Sequence, residues 1–313
     1  MWLVRTILLT VIASPLIACS SERKPQSMNQ HEFDIRGGEP ISFLMAGHVY
    51  GGQKPKNTDI AYSLGKSVNL LNALKPEYMM FLGDIVQETT PSDIENLKSF
   101  VAQLQFPVFN APGNHELVNP ENYKVEFGPT YFHFTYDSSL FLGVDSQQYR
   151  HRKAKNQHIF ITSQIENFRL SSSLKNLFIF SHHLIWAPGN NHFDEVTSFT
   201  NAPYHHDNEF LVWAEEIIPS LRKLTRDKHV YFVSGDIGLS RSIPYFYEKD
   251  ESGRITYIAT GLGDTSEDAI LRCSIEEGNV SFHIVPLINQ NLEFYGRQYW
   301  SNIFNSNVQI NAQ

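Results

Sequence analysis

The chain has 313 residues, of which 42% are hydrophobic and 13% aromatic, enough apolar material for a real core. Its formal charge of -8, with a pI near 5.9, gives no electrostatic footprint for nucleic acid. The basic run Arg150-His151-Arg152-Lys153-Ala154-Lys155 reads as a solvated loop.

At the start, Arg5 precedes an apolar run over residues 6–17, too short to span a bilayer comfortably and fitting the core of a signal peptide. The run closes in Leu16-Ile17-Ala18-Cys19, followed by Ser20-Ser21. This resembles the lipobox of bacterial lipoproteins, whose cysteine is lipidated and becomes the first residue. The competing reading is an ordinary secretory signal with an incidental cysteine. The resemblance implies a signal peptide over residues 1–18, lipidation at Cys19 and a cell-envelope location. Ser20, rather than Asp, after the cysteine resembles the pattern sorted to an outer membrane facing the periplasm. With Cys19 acylated, Cys273 stands alone, so no intrachain disulfide is expected and Cys273 reads as a buried structural thiol. Residues 19–37 are polar and aperiodic and read as a tether.

From there the chain alternates short apolar runs with amphipathic segments. Residues 41–46 read as a buried strand, 59–74 as a helix with Ile60, Leu64, Val68 and Leu71 on one face, and 78–82 as a second strand. Residues 92–104 read as a helix, with Ser92 as N-cap and Glu95 completing a capping box. A third strand runs through 106–109 into the Pro112-Gly113 break. This order implies parallel strands with helical crossovers. Residues 131–145 read as two antiparallel strands, 162–174 as a helix and 177–181 as a buried strand. A long polar insertion over 184–207 reads as a substrate lid or a surface excursion. A helix over 209–224, a strand over 229–233 and further strands near 245–247, 255–258, 270–275 and 280–285 complete one α/β domain, residues 38–313.

Polar residues fall where the apolar runs stop. Four runs end in His48, Gly83-Asp84, Gly113-Asn114-His115-Glu116 and Ser181-His182-His183, and a fifth ends in Gly235-Asp236. In open α/β sheets, sites form at the carboxyl ends of the strands. Asp, Asn and His together are ligands for Mn, Fe, Zn or Mg rather than for thiol chemistry. One such strand end is usually a turn; five together point to a metal site.

These motifs resemble those of the calcineurin-like metallophosphoesterases, whose pattern is Asp-x-His, Gly-Asp, Gly-Asn-His-Asp/Glu, a His after a buried strand, and Gly-His-x-His. The resemblance covers roughly residues 41–286. It implies an α/β fold built as a two-sheet β-sandwich flanked by helices, with phosphoester hydrolysis at one or two divalent metal ions. By resemblance, Asp84 bridges the metals, Asn114 and His182 bind the second one, and His115 stabilises the transition state or protonates the leaving group. Leu142-Gly143-Val144-Asp145-Ser146, a helix opened by Gln164, and Thr260-Gly261-Leu262-Gly263 fit as accessory landmarks.

The first and last motifs depart. Ala46 stands where the family has Asp, and Asp236 and Gly238 stand where it has two His. The first metal position keeps His48 and a share of Asp84; the second keeps Asp84, Asn114, His182 and, as a harder ligand, Asp236. His183, His192, His205, His206 and Asp264 could rebuild the first position. Two readings follow. One is a metal-dependent phosphoester hydrolase of the envelope with a mononuclear or rearranged site, with Asp84 and His115 catalytic and the substrate phosphorylated. The alternative is a catalytically inactive lipoprotein of the same fold, acting in binding or envelope polysaccharide assembly.

Overall fold

The structure, a computed structural model, describes residues 24–33, 40–52, 59–150, 154–197, 200, 210–237 and 245–288. The expectations for the signal peptide, Cys19, His205, His206 and Gly238 lie outside these residues.

Two sheets form. The first, in the order β11-β10-β1-β2-β3, joins β1 (Ile41–Ala46), β2 (Tyr78–Phe81), β3 (Val108–Asn110), β10 (Ala269–Glu276) and β11 (Asn279–Pro286). The second, in the order β4-β5-β6-β7-β9-β8, joins β4 (Phe132–Tyr136), β5 (Ser139–Val144), β6 (Asn176–Ser181), β7 (His229–Ser234), β8 (Tyr245–Lys249) and β9 (Ile255–Thr260). The strands β1, β2 and β3 are parallel in one sheet, and β5, β6, β7 and β9 in the other. The apolar runs do not alternate because both faces of these strands are covered: every residue of β2, β6 and β9 is buried.

The sheets pack face to face over an aromatic core. Phe43 stacks on Tyr78 at 4.8 Å and meets Phe178 edge-on at 5.6 Å, while Phe141 stacks on Phe134 and Phe178. Helices cover the outer faces: α1 (Tyr62–Gly65), α2 (Val68–Ala73), α3 (Pro91–Val101) and α4 (Pro120–Phe127) on the first sheet. On the second lie α5 (Ser146–Arg150), α6 (Lys155–Leu170), α7 (Asp194–Thr197) and, after a π-helical turn at Trp213–Ile217, α8 (Ile218–Arg222). The two-sheet sandwich flanked by helices is thus the fold.

Local details differ from the sequence expectations. The helix expected over 59–74 is broken at Lys66-Ser67 into α1 and α2. Helix α3 is capped by Thr90, not Ser92: Thr90 Oγ1 accepts from Asp93 N, and the Asp93 carboxylate accepts from Thr90 N. Pro91 takes the first helical position, where its missing N–H costs nothing. Helix α6 begins at Lys155, so Gln164 lies buried in mid-helix rather than opening it.

The tether expected over 19–37 is partly fastened to the domain. Met28 N donates to Val108 O of β3, and Asn29 Nδ2 donates to the carbonyls of Val101, Leu104 and Phe106. Phe33 sits edge-on against Tyr78, Phe109 and Phe134. The 184–207 insertion also starts inside the protein. Leu184, Ile185 and Trp186 are buried on the outer face of the second sheet, where Trp186 meets Phe193 and Tyr257.

The carboxyl ends of the two sheets are pressed together. A Cβ added at Gly235, just after β7, would lie 1.9 Å from Leu82 O, just after β2. Replacing Gly235 by Ala should therefore cost about 3 kcal/mol by forcing the sheets apart, measured as a lower urea midpoint with unchanged slope.

Candidate metal centre

At this pressed end the strand-terminal side chains meet. The loop after β1 carries His48 and Tyr50, the loop after β2 carries Asp84, and the loop after β3 carries Asn114, His115 and Glu116. From the second sheet come His182 and His183 after β6 and Asp236 after β7. The loops are strapped to one another: His48 N donates to Gly83 O, Tyr50 N to Asp84 O, and Gly235 N to His182 O. His48 and Asp84 are held at positive φ, 53° for each, an unusual conformation for residues with side chains that clusters at functional sites. Gly83 beside them has φ 78°, and a Cβ there would lie 2.6 Å from the His182 Cβ. This is why the Gly-Asp pair is needed.

Asp84 is the centre of the group and is almost fully buried. Its Oδ1 lies 3.3 Å from His182 Nε2, and its Oδ2 lies 3.5 Å from His48 Nε2 and 3.9 Å from His115 Nε2. Asp236 Oδ1 is 3.8 Å from the same His182 nitrogen. Among the described residues, neither His182 Nε2 nor Asp84 Oδ2 has a hydrogen-bond partner, although both are buried. Buried polar atoms are rarely left so, and the separations are longer than good hydrogen bonds. Donors around one ion with bonds of about 2.0–2.2 Å stand roughly 3–3.5 Å apart, so the residues present fit a divalent cation.

Tautomers support that fit. His182 Nδ1 donates to Leu82 O at 2.9 Å, which fixes the ring and turns the lone pair of Nε2 toward Asp84 and Asp236. Burial, then the neighbouring His182 and His115 rings, pushes His48 well below the usual imidazole range, so it is neutral and can ligate. For His182, burial pushes downward, but the charges of Asp84, Asp236 and Glu116 outweigh it and the net direction is up. Burial raises Asp84, while His182 and His115 oppose that rise.

His115 is the half-exposed edge of the group. Its Nδ1 donates to Gln87 O at 2.6 Å, and its Nε2 is 3.4 Å from Tyr50 Oη. The Tyr50 ring packs between His48 and His115 at centroid distances of 4.3 and 5.0 Å. Asn114 is half-buried on the same loop, and its side chain makes no hydrogen bond among the described residues.

Several contributors were missed from sequence. Asn110 Oδ1 accepts from Gly83 N, while its Nδ2 donates to Glu116 Oε1 and Tyr123 Oη. Glu116 Oε1 also accepts from Gly113 N at 2.7 Å, so this carboxylate shapes the turn that presents Asn114 and His115. Gln157, not Gln164, clamps Asp145 through both its backbone N–H and C=O. Position in the strand-loop register was the available signal for Asn110; nothing comparable marked Gln157.

Two of the histidine and acid candidates for rebuilding the site do not join it. His192 pairs with Glu248, and Asp264 accepts from Gly52 N and Tyr62 N, tying the loop after β1 to the loop after β9. His183 does lie within the group: one donor atom each from His182, His183 and Asp236 fall within 4.8 Å of one another.

Two stacked mixed sheets, helices on both faces, and His, Asp and Asn residues gathered at the strand ends define a metallophosphoesterase-type scaffold. The family profile of the calcineurin-like phosphoesterases matches residues 58–272, and the chain belongs to that family. Members of the family depend on divalent metal. Among solved structures, the chain is similar to a dimetal phosphatase from Danio rerio, with 12% identity, a TM-score of 0.56, and coverage of 80% of this chain and 98% of that one. It is also similar to the purple acid phosphatase PPD1 from yellow lupin (Lupinus luteus) seeds, with 10% identity and a TM-score of 0.53, covering 85% of this chain and 54% of that one. No curated protein sequence matches it. The family match begins after His48, so the first motif, where Ala46 replaces Asp, lies outside it.

Replacing Asn110 by Ala would leave the buried Glu116 carboxylate with Gly113 N as its remaining donor among the described residues. The expected loss is about 1–3 kcal/mol in urea unfolding.

Proposed function

We propose that the protein is a metal-dependent phosphoester hydrolase of the bacterial cell envelope working with a single divalent cation. The observation that carries this reading is the set of buried donors 3.3–3.8 Å apart around Asp84 and His182, two of whose atoms lack hydrogen-bond partners among the described residues. Asp84, His182 and Asp236 would hold the cation, with Asn114 and His48 contributing from the neighbouring loops. Mn, Fe, Zn and Mg all suit such a nitrogen and oxygen set. When bound, the cation supplies Lewis-acid polarisation of a phosphoryl oxygen.

The protein's own groups do the rest. His115 faces the site through Nε2, because Nδ1 must carry a proton to donate to the Gln87 carbonyl. Neutral His115 thus offers a lone pair; its imidazolium offers a proton to a leaving-group oxygen and a positive charge to the developing transition state. Tyr50 keeps its proton, since burial and then the charges of Asp84, Asp236 and Glu116 raise it, so its hydroxyl stays a hydrogen-bond donor beside His115. Exposure of His115, next to buried Asp84, leaves the phosphoryl group an approach from the solvent side. The substrate is a phosphoester.

The chain reading Leu16-Ile17-Ala18-Cys19 supports attachment of this domain to the envelope by a lipid on Cys19, on the periplasmic face of the outer membrane where one exists. Among the described residues no helix is long and apolar enough to cross a membrane. In cells, Cys19→Ser should abolish radiolabelled palmitate incorporation and release the protein from the membrane fraction; labelling that persists would refute the anchor.

For the activity, metal content and hydrolysis of generic phosphomonoesters and phosphodiesters are measured on the same preparations. Wild type should hold about one cation per chain, and Asp84→Asn should lose it. His115→Ala should keep the cation while kcat falls by about 10²–10⁴-fold. A wild type without metal or activity would instead favour the non-catalytic, binding role.

A further inference from the structure

We infer that His183, which lies outside the family's ligand pattern, is a metal ligand here, and that the cation is held by His182, His183 and Asp236 on the second-sheet side of the site. This deepens the single-cation reading above and rests on it. The loss of the two histidines expected at positions 236 and 238 leaves Asp236, whose reach is shorter than that of imidazole, and Gly238, which brings no side chain. A site built on His182 alone from this sheet would be short of nitrogen donors. His183 supplies one from the same strand end.

The geometry brings all three together. Their donor atoms lie within 4.8 Å of one another, and all three residues are buried, at 0%, 0% and 1% exposure. Among the described residues, the buried Nε2 of His182 is a polar atom without a hydrogen-bond partner at this point.

The second histidine is also oriented as a ligand would be. Ser146 Oγ, after β5, lies 2.6 Å from His183 Nδ1. In the tautomer where Nδ1–H donates to the serine oxygen, the lone pair of the ring lies on Nε2. Such a partner on the far nitrogen is the usual companion of a metal-bound histidine.

The backbone of the pair is fixed as well. Ser181 Oγ donates to His183 O at 2.8 Å and lies 3.0 Å from Ser234 Oγ, which accepts from Trp186 Nε1. Gly235 N donates to His182 O. These bonds lock residues 182–183 in register with β7 and therefore with Asp236. Two imidazoles and one carboxylate suit Zn, Mn or Fe(II). Asp84, 3.3 Å from His182 Nε2, flanks the cation on its other side.

Calorimetric titration with Zn²⁺ or Mn²⁺ tests the assignment without relying on activity. His183→Gln should weaken binding on the order of 100-fold, and Ser146→Ala by about 10–100-fold, as expected for a ligand's orienting partner. Binding to His183→Gln at wild-type strength overturns the assignment. Because a buried substitution can disturb folding, anomalous diffraction from Zn²⁺-loaded wild-type crystals gives a second measure. The ion should lie about 2.0–2.1 Å from His183 Nε2. An ion held by Asp84, Asn114 and His182 but more than about 3 Å from His183 overturns the assignment and leaves the hydrolase reading standing. An ion on His183 in a protein inactive on phosphoesters does the reverse. A wild type that binds no cation defeats both.

Discussion

Everything at the functional end depends on how closely two separate sheets approach at their carboxyl ends. Gly235 rests on the carbonyl of Leu82, and the backbone at Gly47 is pressed against Gly235 and Thr260. No side chain, even a methyl, fits in these contacts. That absence lets His182 and Asp236 from one sheet reach Asp84 from the other, across a sandwich otherwise filled by stacked aromatic rings. The aromatic layer sets the separation of the sheets along most of their length; the glycines close it at one end. A site assembled this way is rigid because its members sit at the ends of strands buried on both faces, not on free loops.

The same closeness creates an electrostatic problem. Asp84, Asp236 and Glu116 are buried within one neighbourhood, and burying carboxylates is costly unless each is paired. Glu116 is compensated by Gly113 N and Asn110 Nδ2 and belongs to the scaffold. Asp84 is compensated by imidazoles at distances too long for strong bonds. Binding of a cation relieves that deficit, so the folded state gains stability with ligand concentration, by about 2.7 kcal/mol at a hundred times Kd.

Much of this was legible in the sequence because strand ends announce themselves. Short uninterrupted apolar runs bounded by turn residues, such as Tyr78-Met79-Met80-Phe81, read as buried strands, and the polar residue that halts each run falls at the sheet's carboxyl edge. His48, Asp84, His115, His182 and Asp236 were found in that way and do converge. What stayed hidden obeys other physics. Thr90 and Ser92 are equally good caps, and only the fixed φ of Pro91 chooses between them. Leu184-Ile185-Trp186 opens a stretch that the sequence reads as a polar insertion over 184–207, yet its burial against the second sheet is tertiary. The place of His183 depends on Ser146, 37 residues away, and no local pattern encodes such a meeting.

The stretch before the first strand has a mechanical consequence. Strand β3 is an edge, and exposed edges invite pairing with other chains. Met28 occupies part of that edge, while Asn29 donates to three carbonyls where α3 gives way to the strand. The segment is a selvedge sewn onto the sheet. By covering that edge, the seam denies other chains a template on which to add a strand.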